Sequence, residues 1–382
     1  MRLVDVCAFY TPHGGGVKSY VEQKLKFGPE LGAEIVILAP GDRHEVIEHG
    51  PKARIVTIPS PRLIVDKNYW YFGDKAALHA ALDELKPDLV EVGSPWRSPS
   101  WVAEWQGKVP RTLVMHADPM SAYAYRWFDP FLPRSATDWL FSPYWRHIQG
   151  LSQHYESVIC ASDDLYGRMI GGGVANTALF PLGIDEGVFS PANHDPALRG
   201  ELLAQLGLPG DAGLLVAVGR LSAEKRWPMV FDAVRIAARE RPLGLILLGG
   251  GRQEAAIRKA LSREAHMRLL DPVQDRSRFA AIIASADALV HGCEAETFGL
   301  AAAEARASGV PVIVPDRGGA ADQALSGSGL VYKSGDPAAL AAAIGLLAAQ
   351  GWPRSHGQVQ TMRKHFERLF CHYRELIAAH KA

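Results

Sequence analysis

ALVHGCEAETFGLAAAEARASGVPVIVPDRGGAAD, residues 288–322, is the stretch from which the fold is read. An apolar run ends near His291, Phe298-Gly299 opens a helix, and the β-branched run 310–314 reads as the next strand. Strand, helix and strand in that order make one unit of a parallel sheet. Glu294 and Glu296 fall in the loop and Glu304 about two turns inside the helix. Eight residues on a helix advance about 12 Å and turn through roughly 80°. Glu296 and Glu304 are therefore no close acid–base dyad, but they suit two ends of an elongated ligand. The helix N-terminus between them offers free N–H groups and a positive dipole end, which suit a pyrophosphate.

The same alternation runs outward in both directions. Candidate strands at 3–8, 34–38, 54–58, 89–92, 112–115 and 157–161 form one series, and those at 214–218, 245–248, 267–270, 288–291, 310–314 and 329–332 a second. Two α/β domains of Rossmann type follow. Between them PLGIDEGVFSPANHDP, 181–196, is rich in Gly, Pro and Asp and has no period, as a linker would. The expected division is 1–188, then 189–355, then a terminal helix over 356–382. On that last helix Phe366, Leu369, Phe370, Tyr373, Leu376 and Ile377 recur at helical spacing, so one stripe is buried. Its six Lys or Arg over 353–382, against two Glu, read as a solvated face.

A chain of 382 residues is long enough for two hydrophobic cores. Lys plus Arg and Asp plus Glu balance at 41 each, so no global field gathers nucleic acid, and none is expected as a partner. Cys7, Cys160, Cys293 and Cys371 are far apart and form neither a zinc pair nor a disulfide framework. The amino-terminal apolar run breaks at Thr11-Pro12, too soon for a signal-peptide core or a membrane span. A reducing, cytoplasmic location is expected, with any bilayer contact peripheral.

His13-Gly14-Gly15-Gly16 follows the first strand, but Thr11 stands where a P-loop needs Gly and Ser19 where the dinucleotide fingerprint needs it. Gly15 and Gly16 remain as a turn at a helix N-terminus, where backbone can approach a ligand closely. Gly219-Arg220-Leu221-Ser222-Ala223-Glu224-Lys225 ends the strand at 214–218 and supplies a guanidinium fork and an ammonium point charge for phosphate oxygens. Leu248-Gly249-Gly250-Gly251-Arg252 is another strand followed by a glycine turn on which a base or ribose can lie. Asp163-Asp164 read as a helix cap rather than a metal site. No HExxH, GxSxG or clustered Cys and His occurs, which removes metalloprotease, serine hydrolase and structural-zinc readings.

GRLSAEK, LLGGGR, the Glu-x7-Glu element of EAETFGLAAAEARASGVPVIV and the trailing DRGGA, in this order and spacing, resemble glycosyltransferase family four (glycosyl transferases group 1) of the two-Rossmann GT-B architecture. The resemblance implies two domains facing a central cleft, with the terminal helix packing back across them. It places the donor diphosphate on Arg220 and Lys225, the ribose hydroxyls on Glu304 and the transferred sugar's hydroxyls on Glu296. Phe298, Gly299 and Leu300 would offer backbone to phosphate and sugar. Gly15, Gly16, Gly219, Gly249, Gly251 and Val273 would complete the donor site, and His116 would border the donor sugar. Thr297 and Arg226 depart from the family pattern, which often has Gly or Pro after the first Glu and Lys-Gly at the end of the basic motif.

The resemblance further implies a retaining transfer of a hexose from a UDP or GDP donor, without enzyme nucleophile, metal or cofactor. Electrostatic stabilisation of the leaving diphosphate would carry it. The acceptor is expected to be a saccharide or lipid-linked species of cell-envelope glycoconjugate synthesis. Nine aromatics within 123–145, interleaved with Arg126, Arg134 and Arg146, suit a stacked sugar or the inner face of the membrane, and 62–74 suits the other wall of that site. Two rivals stay open: a sugar-nucleotide epimerase of the same architecture and a non-catalytic sugar-nucleotide-binding subunit.

Overall fold

The structure, a computed structural model, describes the chain except residues 12–14, 64–68, 94–96, 130, 328, 356–357 and 382. It divides into two compact units, each built on its own sheet. The first comprises Met1–Pro119, Trp127–Leu182 and Met362–Ala382; the second comprises Gly183–Thr361 together with Met120–Arg126.

The first sheet holds β1 (Arg2–Val6), β2 (Glu34–Gly41), β3 (Glu45–Gly50), β4 (Ala53–Pro59), β5 (Leu89–Gly93), β6 (Arg111–Val114), β7 (Ser157–Cys160) and β8 (Thr177–Leu179). Their order is β3-β4-β2-β1-β5-β6-β7-β8, parallel throughout except for the β3–β4 pair. The second sheet holds β9 (Gly213–Val218), β10 (Leu243–Leu248), β11 (Met267–Leu269), β12 (Ala288–Val290), β13 (Val312–Pro315) and β14 (Gly329–Tyr332). Its order is β11-β10-β9-β12-β13-β14, all parallel.

Parallel strands are covered on both faces, which is why the central ones read as unbroken apolar runs. Leu3, Val4 and Val6 in β1, and Leu215, Val216 and Ala217 in β9, are buried. All twelve expected strands are present. β3 and β8 are additions. β3 is exposed along its whole length and carries charge at the sheet edge, the usual way a parallel sheet blunts that edge.

The second unit begins at Gly183 rather than 189 because the chain is already fastened there. Ile184 N–H donates to the Gln360 carbonyl at 3.0 Å, and Asp185 pairs with Arg276 at 2.6 Å. The terminal helix runs Met362–Lys381, later than the expected 356. It buries Phe366, Leu369, Phe370 and Tyr373 in the core of the first unit beside Tyr20 and Phe27.

Within that core lies a charged cluster. Asp5 on β1 and Glu91 on β5 are register partners, so both point to the same face of the sheet. Lys24, from the helix Gly16–Glu30, reaches between them, with Nζ 2.6 Å from Asp5 Oδ2 and 2.5 Å from Glu91 Oε1. Tyr373 Oη donates to Glu91 Oε2 at 2.8 Å. All four side chains are buried. Burial pushes the Glu91 carboxyl up; burial also works against the Lys24 ammonium, but the two carboxylates hold its pKa well above the ordinary value. The cluster ties β1, β5 and two helices together at one point.

Candidate functional site

In the second sheet the chain leaves β9 towards β10 and β11, then returns to the other side of β9 with β12. Loops leaving adjacent strands in opposite directions open a crevice at their carboxyl ends, the usual ligand position in open α/β sheets. Here those loops are Gly219–Arg226 after β9 and His291–Gly299 after β12.

The loop after β9 is seated on the glycine turn after β10. Gly219 N–H donates to Leu248 O at 3.0 Å, Leu221 N–H to Gly250 O at 2.9 Å and Gln253 N–H to Leu221 O at 3.0 Å. A Cβ on Gly249 would stand 1.9 Å from the Gly219 carbonyl oxygen, so this backbone contact requires glycine. Gly219, Gly249 and Gly251 thus pack loop against loop, which already accounts for their presence. Trp227, buried, donates its indole N–H to Arg220 O at 3.0 Å and closes the turn. The Arg220 side chain is left 64% exposed, with Glu224 no nearer than 3.9 Å, and its guanidinium remains available to an anion.

Lys225 turns inward instead. Its Nζ donates to Glu296 Oε1, across 71 residues of sequence, and His291 Nε2 lies 3.2 Å from the same oxygen. Burial alone would raise the Glu296 carboxyl, but Lys225 first and His291 second pull it far below the ordinary carboxylate range. Burial likewise disfavours the Lys225 ammonium, and Glu296 more than reverses that. Both groups are therefore ionised throughout the neutral range. In the next pair the carboxylate is more deeply placed: Arg226 grips the buried Glu294 with Nε at 2.8 Å from Oε2 and with Nη2 on Oε1. Arg226 has φ +50°, the left-handed region. The departure from Lys-Gly thus puts a side chain where glycine is the easy choice, and its strain is offset by a two-pronged ion pair. Arg226→Gly relieves about 1 kcal/mol of strain but leaves a buried carboxylate unpaired at about 3–5 kcal/mol. A net loss of about 2–4 kcal/mol is expected in denaturant unfolding, largely restored by adding Glu294→Ala.

The helix after this loop spans Leu300–Ala307, with Gly299 as its N-cap at φ +85° and no side-chain cap on its first N–H groups. Glu304 therefore sits little more than one turn inside, closer to the N-terminus than the two turns expected, because the helix begins at Leu300. Phe298 is buried, and the DRGGA turn packs beneath it: Gly319 N–H donates to Glu296 O at 2.7 Å, and a Cβ on Gly318 would meet Glu294 O at 2.4 Å. Val273 is half-buried in the loop between β11 and the helix Arg276–Ser285.

Glu304 is nearly buried, and burial pushes its carboxyl up to about 7, against the pull of Arg276. Arg276 Nη2 lies 3.0 Å from Glu304 Oε1 and 2.6 Å from Asp185 Oδ2, and its guanidinium rests over the rings of Phe189 at 4.9 Å and Phe279 at 5.3 Å. Arg276 lies in none of the sequence motifs. The one available signal was its position as the first residue of a helix that follows a strand-end loop.

In the first unit the corresponding reversal is at β1 and β5. Gly15 is the N-cap of the helix Gly16–Glu30, again without a side-chain cap; His13 and Gly14 lie outside the described residues. His116 follows β6, edge-on to Tyr20 at 5.1 Å. Burial first, and Lys24 nearby, push His116 down to about 4, so its ring is neutral at pH 7. His365 Nδ1 is 2.8 Å from the Pro181 carbonyl, which only accepts; Nδ1 carries the proton, and Nε2 accepts from Tyr20 Oη at 3.3 Å. At the helix Asp163–Gly171, Ser162 accepts from Leu165 N–H at 3.3 Å and is the cap in place of the expected aspartates, which lie in the first turn.

The aromatic segment splits in two. Tyr125 and Trp145 are buried, whereas Phe131 is 83% and Trp139 79% exposed, with Trp127 and Leu140 also outside. Of the other expected wall, Trp70 donates to Asp42 at 2.8 Å and Phe72 is buried; 64–68 lie outside the described residues.

Residues 199–364 match the family described as Glycosyl transferases group 1, and residues 14–187 match Glycosyltransferase Family 4. The chain is 29% identical over 325 residues to the GDP-mannose-dependent alpha-(1-6)-phosphatidylinositol dimannoside mannosyltransferase of Mycobacterium tuberculosis (strain ATCC 25177 / H37Ra), covering 82% of this chain and 79% of that protein. It is 27% identical over 331 residues to the GDP-mannose-dependent alpha-mannosyltransferase of Mycobacterium tuberculosis (strain CDC 1551 / Oshkosh), covering 84% and 81%. Among solved structures, sucrose-phosphate synthase from Thermosynechococcus elongatus superposes with a TM-score of 0.76 at 20% identity, over 99% of this chain and 100% of that one. With both sheets, the strand-end cations and the Glu-x7-Glu helix in place, the chain belongs to glycosyltransferase family 4, the group 1 glycosyl transferases of GT-B architecture, and is a glycosyltransferase.

Proposed function

We propose that this chain is a retaining mannosyltransferase that takes mannose from GDP-mannose and passes it to a saccharide or lipid-linked acceptor of the cell envelope. The observation that carries the reading is the set Arg220, Lys225, Glu296 and the uncapped N-terminus at Leu300, all on loops at one strand reversal. Both relatives named above use GDP-mannose, which favours it over a UDP donor.

In this reading Arg220, Lys225 and the helix N-terminus hold the donor diphosphate and stabilise the charge that develops as the anomeric C–O bond breaks. The acceptor oxygen attacks from the face that the phosphate leaves, and its proton passes to the departing phosphate oxygen. Glu296 holds hydroxyls of the transferred sugar, Glu304 those of the ribose, and Phe298, Gly299 and Val273 lend backbone. Protein cations supply the counter-charge that a metal ion would otherwise bring, so neither metal nor cofactor takes part. The enzyme works in the cytoplasm, against the inner face of the membrane. Incubation with GDP-mannose and a mannosylated lipid acceptor should give an α-linked product by proton NMR, whereas turnover of UDP-glucose alone by folded protein would overturn the donor assignment.

Glu304 gives this reading a pH dependence. Its acid is neutral below about 7, and only the carboxylate accepts from two ribose hydroxyls. GDP-mannose affinity should rise about tenfold from pH 6 to pH 8 as the ionised fraction grows, and calorimetry on Glu304→Gln should show a flat profile.

No described helix is long and apolar enough to cross a membrane. The exposed Phe131 and Trp139 supply a surface for peripheral contact instead. Phe131→Ser with Trp139→Ser should weaken co-sedimentation with anionic phospholipid vesicles by at least about tenfold.

A further inference from the structure

His291 and Cys293, two residues apart and not counted as a Cys and His cluster from the sequence, give the corner that carries Glu296 a second chemistry. His291, Cys293 and Glu296 each offer one ligand atom, and these three atoms lie within 4.8 Å of one another. His291 is 2% and Cys293 1% exposed. His291 Nε2 lies 3.2 Å from Glu296 Oε1, whereas Nδ1 makes no hydrogen bond among the described residues. Buried polar atoms are nearly always satisfied, so a buried ring nitrogen without a partner has a lone pair to offer. Glu296 is partly exposed and gives the corner a way in from solvent.

We propose that His291, Cys293 and Glu296 bind a thiophilic divalent cation, Zn²⁺ above all, and that this cation inhibits transfer by taking the Glu296 carboxylate from Lys225. Imidazole, thiolate and carboxylate together are a borderline-soft set that suits Zn²⁺ and not Mg²⁺ or Ca²⁺, which need oxygen ligands. Bond lengths of about 2.0–2.3 Å put tetrahedral ligand atoms about 3.3–3.8 Å apart, so side-chain movements of up to about 1 Å close the set. All three residues sit in the irregular loop after β12, where such movements break no helix. The backbone beneath them is fixed, with His291 N–H on Ile313 O at 2.9 Å and Tyr332 Oη on His291 O at 2.8 Å. Three protein ligands leave the fourth position to water. On binding, the cation replaces the thiol proton, which leaves to solvent, and the Lys225 ammonium turns away from Glu296. The two states compete because a cation beside His291 and Glu296 would stand next to the Lys225 ammonium on one carboxylate, where like charges repel.

Binding itself is independent of the proposed reaction; only the inhibition rests on Lys225 acting in transfer. The test uses the full chain, freed of metal by chelator and dialysis, and titrated with Co²⁺ in the absence of substrate. Wild type and Cys371→Ser, which lacks the exposed thiol, should develop a thiolate-to-cobalt absorption band at one equivalent that Zn²⁺ abolishes. Cys293→Ser should lose the band, and Glu296→Gln, changed at a partly exposed position, should bind at least tenfold more weakly. In the transferase assay, Zn²⁺ should inhibit wild type at the occupancy seen by titration and Cys293→Ser at least tenfold less relative to its own metal-free rate, while Mg²⁺ does neither. No band, or a band that persists in Cys293→Ser, overturns the site. A band that behaves as expected while Zn²⁺ leaves transfer untouched overturns the competition with Lys225.

Discussion

Lys225→Met is expected to lower kcat for sugar transfer by about 10²–10³, with a smaller change in KM. The ammonium is held by Glu296 in a largely buried corner, so it is pre-oriented and nothing need be reorganised when charge develops on the leaving diphosphate. Removing one preorganised charge or hydrogen-bond donor from such a site costs about 2.7–4 kcal/mol of transition-state stabilisation. The substitution also leaves Glu296 without its principal partner, so burial pushes its carboxyl up again. Arg220→Ala should act differently. Its guanidinium is mostly exposed and loosely paired, so under the proposed donor site its loss should raise KM more than it lowers kcat. Steady-state kinetics on the two variants side by side separate these roles. Equal losses in kcat for both, or none for Lys225→Met, would contradict the division.

Lys24→Met should cost the first unit about 3–5 kcal/mol of stability. Lys24 is wholly buried between Asp5 and Glu91, and its removal leaves two carboxylates facing each other on neighbouring strands with no cation. One of them can escape by taking up a proton, so the loss should be smaller in acid than at neutral pH. Burial already raises the Glu91 carboxyl, and loss of the Lys24 cation removes the pull against it, so stability falls as pH rises through its folded-state pKa. Replacing the whole cluster, Asp5→Val with Lys24→Met and Glu91→Leu, should recover most of the loss, because a buried charged network is roughly matched by apolar residues of similar volume. Denaturant unfolding at pH 5 and pH 8 checks both statements. If the triple variant were no better than Lys24→Met, the lysine would be acting through packing instead of charge.

The β-branched runs and glycine turns were sufficient to place twelve strands and both parallel sheets, because strands buried on both faces leave a continuous apolar signal. β3 gave no such signal. Its EVIEHG is exposed at every position and is held by antiparallel pairing to β4. β8 is three half-buried residues long, below the length at which pattern speaks. Within the site, Arg220, Lys225, Glu296 and Glu304 could be singled out from their motifs, but the ion pair between Lys225 and Glu296 joins loops 71 residues apart and depends on β9 and β12 being neighbours. Arg226 was visible only as a departure from a family pattern. Its pairing with Glu294 and its left-handed backbone turn that departure into a second fastening of the same two loops. Asp5 in LVDV and Glu91 in LVEV were the readable clue to the buried cluster, since a lone carboxylate inside an apolar strand must find a partner.

The central claim is that the second unit binds a nucleoside-diphosphate sugar through Arg220 and Lys225, and thermal unfolding in the presence of ligand tests it most directly. GDP and GDP-mannose at about 100 times their dissociation constants should each add roughly 2.7 kcal/mol to wild type, UDP and UDP-glucose clearly less, and none of them should stabilise the Arg220→Ala, Lys225→Ala double variant. Absence of any shift in well-folded wild type, or an equal shift in the double variant, would contradict it.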